Sequence, residues 1–259
     1  MFRVLSVFGV LFFSTSAISA ENLRIAAASS FRPALEKLVP IFENQYNIKV
    51  TYRATSSGGL YNHILNGAPY DLFLSADSNF PKRLVEAGIA GESTRTTYAL
   101  GILAWWQPGT KKVTLTQPIH FKQPVALAKA KLAPYGKAAV EVIHHLKQTG
   151  FSFSKKVFGA NISQTYQFID SGNAVGGFVA YSYLISAGIK DSFWIIPSIW
   201  YQPIKQQAIV ISNQNQCNSK KFLAFLQSPK ARKIISETGY SLPPSFNMLN
   251  NSTIKGCES

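Results

Sequence analysis

The sequence predicts an α/β protein arranged as two lobes, and three observations carry that prediction. Strand, turn and helix alternate along the chain, which argues for largely parallel strands with helices packed on them. No repeat, low-complexity tract or long linker interrupts the alternation. A boundary between lobes must then fall on strands, near residue 100 and again near 205. Two crossings make the first lobe discontinuous, over 21–100 plus 206–259, with the second lobe over 101–205. Such a division suits a hinge of two strands.

The first twenty residues stand outside this fold. Arg3 supplies a positive start, Val4 to Phe13 an apolar run and Ser14 to Ala20 a small-residue tail. That is the layout of a cleavable secretory signal over 1–20, and the run is too short for a comfortable membrane span. Cleavage is expected after Ala20, with the cut after Ala17 as second choice. No cysteine follows the apolar run, so a lipid anchor is not expected.

The mature part opens on a strand, Leu23 to Ala28. A helix follows with apolar positions Phe31, Ala34, Leu35, Leu38, Val39 and Phe42, whose steps of three and four mark an amphipathic face. Pro33 falls in its first turn, where a missing N–H costs nothing. Lys49 to Arg53 is the next strand, and a short helix with Leu60, Ile64 and Leu65 ends near Gly67. Tyr70 to Ser75 is a third strand, and a helix opening near Pro81 stops at Gly88. Tyr98 to Trp106 is apolar without helical period and reads as one long buried strand. Val125 to Ala128, Lys155 to Phe158, Val175 to Ala180 and Gln207 to Ile211 are further strands. Helices are expected around Ala139 to Leu146, after an Asn161 cap, over Tyr181 to Ala187, around Phe222 to Leu226 and over Lys230 to Thr238.

Removing the signal leaves about 239 residues (259 − 20), enough for one large domain or two lobes. With 46% apolar and only 15% charged residues the chain is globular rather than disordered. Its net charge of +14 first suggests nucleic acid. Export argues against that partner, and the basic residues are scattered in pairs such as Lys111-Lys112, Lys155-Lys156 and Lys220-Lys221. They describe a solvated basic surface, which also raises the arrival rate of an anion. Two cysteines, Cys217 and Cys257, are expected to form a disulfide in an oxidising compartment and to staple the C-terminal tail to the last lobe.

Four strand-to-helix turns share one property. Ser29-Ser30, Ser56-Ser57-Gly58-Gly59, Pro134-Tyr135-Gly136 and Asn161-Ile162-Ser163 each place small, polar or glycine residues at a helix start. In open α/β sheets such turns lie at the carboxyl ends of the strands, where ligands bind. Helix starts present free N–H groups and a partial positive charge, which suits an anion. Serine hydroxyls add donors without a counter-charge. A serine there is also an ordinary cap, but two successive strand–Ser-Ser–helix units in one exported chain say more than either alone.

At this point the chain resembles a known family. Ala26-Ala27-Ala28-Ser29-Ser30-Phe31, Ser56-Ser57-Gly58 and the stretch Asn66-Gly67-Ala68-Pro69-Tyr70-Asp71-Leu72-Phe73-Leu74-Ser75-Ala76-Asp77 are similar to the periplasmic molybdate-binding proteins. The similarity continues through Tyr98-Ala99-Leu100-Gly101, Ala133-Pro134-Tyr135-Gly136, Gly177-Phe178-Val179-Ala180, Tyr201-Gln202-Pro203-Ile204 and Gln206-Gln207-Ala208, to about Pro243. The resemblance implies the two-lobed periplasmic binding fold, with two parallel or mixed sheets flanked by helices and a two-strand hinge. It implies capture of molybdate or tungstate for a membrane permease and ATPase of the ABC type, by a periplasmic monomer without a further cofactor. The implied ligands are Ser29, Ser30 and Ser57, by hydroxyl and backbone N–H, with Tyr135 and Ile162 by backbone N–H. Two departures stand out. Ser30 replaces an Asn of the subgroup most like this chain, and Ala180 stands where another subgroup has a Tyr hydroxyl, beside Tyr181.

Rival readings are weaker. An enzyme is not expected: Gly-x-Ser-x-Gly is absent, and Ser152-Phe-Ser-Lys155 and Ser252-Thr-Ile-Lys255 lack the accompanying motifs of Ser-x-x-Lys enzymes. Ferric-ion capture would use tyrosines such as Tyr181 and Tyr183, which read better as core. His144-His145 are adjacent on a helix and do not form an i, i+4 metal pair. A ligand-sensing domain of a regulator would need a DNA-binding segment where the signal stands. Sulfate or another oxyanion in the same architecture is the nearest alternative.

Overall fold

A computed structural model describes residues 22–111, 113–211 and 215–243. The expected signal segment lies outside them. So does Cys257, and with it the expected pairing to Cys217.

The strands form two mixed sheets. In the first, β1 (Asn22–Ala28) pairs in parallel with β2 (Lys49–Thr55) and β3 (Leu72–Ser75). β10 (Ile204–Val210) returns antiparallel between β3 and β4 (Thr96–Gly101), and the short β11 (Tyr240–Ser241) closes the edge on β4. The second sheet is contiguous in sequence. β6 (Ile119–Ala128) runs parallel to β7 (Phe151–Gly159) and β8 (Gly176–Ala180), while β5 (Leu103–Trp106) lies antiparallel between β8 and β9 (Phe193–Ile195).

The run from Tyr98 to Trp106 is therefore not one strand. It breaks at Ile102, and its two halves belong to different sheets. Both halves are buried, which is why the apolar pattern carries no mark of the change. The chain returns to the first sheet between Ile195 and Ile204, so the sheets are joined at two places.

The edge strands β2 and β7 keep many exposed positions, while helices cover both faces of each sheet at its central strands. On the first, α1 (Arg32–Tyr46) packs with α7 (Gln216–Gln227) and α8 (Pro229–Glu237) on one side, where Phe42 meets Phe222 edge-on at 4.8 Å. α2 (Ser57–Leu65) and α3 (Asn79–Glu86) cover the other side through Leu60, Ile64, Phe80 and Leu84. On the second sheet, α4 (Pro134–Leu146) buries Ala138, Val142 and Leu146 against Trp105, Phe121 and Phe178. α5 (Ile162–Asp170) and α6 (Tyr181–Ser186) cover the opposite face.

Helix limits follow local chemistry. α1 ends at Asn47, in the left-handed region at φ 54°, a conformation that Asn tolerates. Pro40 sits inside α1 on its exposed side, a position the apolar spacing does not reveal. α2 begins at Ser57, three residues before its first large apolar residue, because Ser56 caps it by accepting from Gly59 N–H. Asn161 caps α5 as expected, accepting from Gln164 N–H at 3.0 Å. Among the described residues no helix is long and apolar enough to cross a membrane.

Candidate anion site

The strand-to-helix turns singled out in the sequence meet at one place. The turn after β1 brings Ser29 and Ser30, and the start of α2 brings Ser56 and Ser57. The starts of α4 and α5 bring Tyr135 and Ile162 from the other sheet. All five residues expected to hold a ligand line this cavity, and every residue that lines it is uncharged. The space is small, about 10 Å³ for the centre of a water-sized sphere. That is the scale of a single compact species.

Each contributor is fixed from behind. Ser57 is 1% exposed, and its Oγ accepts from Ala76 N–H at 2.9 Å, which ties α2 to the end of β3 and leaves the hydroxyl proton to point elsewhere. Tyr135 lies in the first turn of α4 behind Pro134. Its ring runs back into the core, and a Cβ on Gly101 would lie 2.3 Å from its hydroxyl oxygen. The ring therefore anchors the helix start to the crossover between the sheets. Burial pushes its phenol well above the ordinary tyrosine range, so it stays neutral.

Ser30 differs from the others. It is 1% exposed, and its Oγ has no hydrogen-bond partner in the protein. A buried hydroxyl without a partner is costly, and such groups usually face a ligand or water. The Ser30 carbonyl, by contrast, accepts from Ser182 Oγ at 2.9 Å and from Tyr240 OH at 2.5 Å. The Ser29 carbonyl accepts from Tyr183 OH at 2.8 Å.

The two sheets touch around the cavity. Gly58 N–H donates to Leu132 O at 2.9 Å, and Asn161 Nδ2 to Thr55 Oγ1 at 3.3 Å. A Cβ on Gly58 would sit 3.0 Å from the Leu132 backbone, so the close approach needs glycine there.

Sequence reasoning missed several contributors: Thr55, Ala76 and Leu132 around the cavity, and the three hydroxyls behind the serine turn. Tyr183 is not simply core, because its hydroxyl reaches Ser29 O. Tyr181 does not line the cavity. Its ring lies 5.5 Å from that of Phe193 and packs beside Gly239. His144 and His145 are exposed, with the His145 ring 4.2 Å from that of Trp200. Among the described residues no group of three or more His, Cys, Asp or Glu is placed to hold a metal ion.

Two larger cavities lie nearby. One of about 390 Å³ shares Ala76 and Pro134 with the small one and opens outward past Asp77, Lys137 and Glu141. The other, about 520 Å³, lies along the crossover, between Ile195–Tyr201 and Leu100–Ile102. Carboxylates in the first and apolar walls in the second suit an anion less well than the four helix starts do.

Known proteins resemble this chain over most of its length. Residues 23–241 match the family model described as bacterial extracellular solute-binding protein. The chain is 37% identical over 225 residues to the molybdate-binding protein ModA of Rhodobacter capsulatus, covering 86% of this chain and 89% of that protein. It is 35% identical over 233 residues to ModA of Azotobacter vinelandii, covering 87% and 92%. The solved periplasmic molybdate-binding protein of Azotobacter vinelandii superposes with a TM-score of 0.75 at 33% identity, covering 85% of this chain and 99% of that one.

Proposed function

The chain belongs to the family of bacterial extracellular solute-binding proteins, and from that premise we propose that it captures molybdate or tungstate in the periplasm for delivery to a membrane ABC transporter. One observation carries this reading: four helix starts converge on a small uncharged cavity that also holds the unpartnered Ser30 hydroxyl. It is a binding protein and not an enzyme.

In this reading Ser29, Ser30 and Ser57 supply hydroxyl and backbone N–H donors from the first sheet. Tyr135 and Ile162 supply backbone N–H donors from the second. A dianion held by neutral donors has its charge spread over helix ends and peptide dipoles, with no fixed counter-charge to exchange at release. Donors to a charged group contribute about 1.5–3 kcal/mol each, so several of them offset the cost of immobilising the ion. Molybdenum is bound as its oxyanion, without cation ligands. The net charge of +14 raises the rate at which a dianion arrives. The two bodies, one built on each sheet, close on the ion by bending at the two crossings, near Ile102 and between Ile195 and Ile204.

Calorimetry on the purified mature protein with molybdate, tungstate, sulfate and phosphate tests the proposal. Tight one-to-one binding of molybdate or tungstate is expected. Binding of sulfate alone would replace the ligand assignment while keeping the site, and no oxyanion binding at all would end it. Mass spectrometry of the exported protein checks two finer points, a mature N-terminus at Glu21 and a Cys217–Cys257 bond that breaks on reduction.

A further inference from the structure

The mechanism above accounts for the groups that face the ligand, but not for the three hydroxyls that converge on the back of the serine turn. We propose that Tyr183, with Ser182 and Tyr240, polarises and latches the ligand-binding turn. Their hydroxyls donate to the carbonyls of Ser29 and Ser30, and the Tyr183 bond so strengthens the N–H group on the far side of the same peptide plane. The proposal rests on the reading of this cavity as the oxyanion site.

The peptide that carries the Ser29 carbonyl also carries the Ser30 N–H. The peptide that carries the Ser30 carbonyl carries the Phe31 N–H, which is not one of the ligand donors. Ser182 and Tyr240 therefore hold the turn in place, while Tyr183 alone acts on a donor, the Ser30 N–H. A donor placed on a carbonyl oxygen withdraws electron density through the peptide and makes its N–H a better donor, by about 10–30% per bond. Here Tyr183 OH reaches Ser29 O at 2.8 Å, and Ser182 Oγ and Tyr240 OH reach Ser30 O at 2.9 and 2.5 Å. The residues that line the site are uncharged, so a second layer of oriented hydroxyls adds to the positive potential that the helix starts place at the turn. Burial holds the phenol of Tyr183 up at about 12, which keeps it a neutral donor at any physiological pH.

The latching part follows from where these groups are mounted. Tyr240 belongs to β11 of the first sheet, like the turn it supports. Ser182 and Tyr183 follow β8 of the second sheet. The Tyr183 ring stacks on Tyr166 at 5.3 Å, and Tyr166 stacks on Trp106 at 4.9 Å. A three-ring stack thus carries the hydroxyl from β5 to the first sheet's serine turn. Its bond to Ser29 O spans the two bodies and exists only while they are together.

Tyr183→Phe keeps the ring stack and removes only the hydroxyl. Molybdate affinity should fall about 3- to 10-fold, the range for one neutral hydrogen bond. The loss should appear as faster dissociation in stopped-flow measurements, with association unchanged, because the bond forms only after closure. The melting temperature of the ligand-free protein should not move. An equal loss of ligand-free stability and affinity would mark Tyr183 as ordinary packing and overturn the proposal, as would unchanged affinity and dissociation rate. Ser182→Ala should shift dissociation in the same direction and provides the measurement if Tyr183→Phe folds poorly. Wild-type protein run alongside separates the two ideas: if it binds neither molybdate nor tungstate, the site assignment itself fails and takes this inference with it.

Discussion

Ser30 and Ser57 are both buried serines of one cavity, yet they should respond differently to loss of the hydroxyl. Ser57 Oγ accepts from Ala76 N–H, so Ser57→Ala strands a buried donor and costs about 1–3 kcal/mol of stability even without ligand. Ser30 Oγ has no partner in the protein, so Ser30→Ala removes an unpaired polar group and should leave ligand-free stability unchanged or higher by about 1 kcal/mol. Both changes should weaken molybdate binding by about 1.5–3 kcal/mol. Paired denaturation and calorimetry on the two variants check this. A Ser30→Ala protein that loses stability but keeps its affinity would place the hydroxyl in the fold and not in the site. The serines themselves were legible in the sequence, because small polar residues at helix starts are a local signal. Their supports were not. Ser182, Tyr183 and Tyr240 lie between 152 and 210 residues further along the chain, and no local pattern announces a hydroxyl aimed at a distant carbonyl.

The crossover shows where sequence reading stops at the level of elements. Alternation and helical spacing place most of the other long strands and helices, because burial writes those periods into the chain. The exposed first half of β6, the start of β7 and the first six residues of α7 carry no such period and are not legible. Tyr98 to Trp106 misleads because both halves are buried, and a strand leaving one buried sheet for another stays apolar throughout. β9 and β11, at three and two residues, are too short to show any period. The one local clue at the break is Gly101. Any side chain there would meet the Tyr135 hydroxyl at 2.3 Å and Gln206 Nε2 at 3.0 Å. Gly101→Ala should therefore destabilise the protein by about 1–3 kcal/mol through overpacking. The measurement is a lower urea midpoint with unchanged slope. A midpoint equal to that of the wild type would mean that Tyr135 is free to move and does not pin α4 to the crossover.

For the molecule as a whole, buried ionisable groups set a pH window for stability. Tyr98, Tyr135, Tyr183 and Tyr240 are all held above the ordinary tyrosine value of 10.0 by burial, Tyr183 to about 12 and the others also upward. A raised pKa means that the folded state keeps its proton longer than the unfolded chain. The contribution is fully present below pH 10 and is lost as pH rises through 12 and beyond. On the acid side, Asp71 is completely buried. Desolvation pushes its carboxyl up, but hydrogen bonds from the Arg24 guanidinium and backbone N–H outweigh it and hold the group below its usual 3.8. Its contribution is present above pH 3.8 and is lost as pH falls through that lowered value. Stability should therefore fall at alkaline pH, while on the acid side the Asp71 loss is opposed by Asp77, whose carboxyl burial pushes up. An absorbance titration should show a fraction of the eleven tyrosines ionising only as the fold is lost. Ionisation of all eleven near pH 10 in a still-folded protein would contradict this.

The position of β10 has a consequence for biogenesis. It pairs with β3 on one side and β4 on the other, yet it is made of residues 204–210. Until those residues emerge, the first sheet exists only as two unjoined fragments, β1 with β2 and β3 in one and β4 alone in the other. The second sheet, contiguous over 103–195, is complete before them. A chain threaded N-terminus first through a translocation pore therefore cannot assemble its first sheet until most of its length has passed.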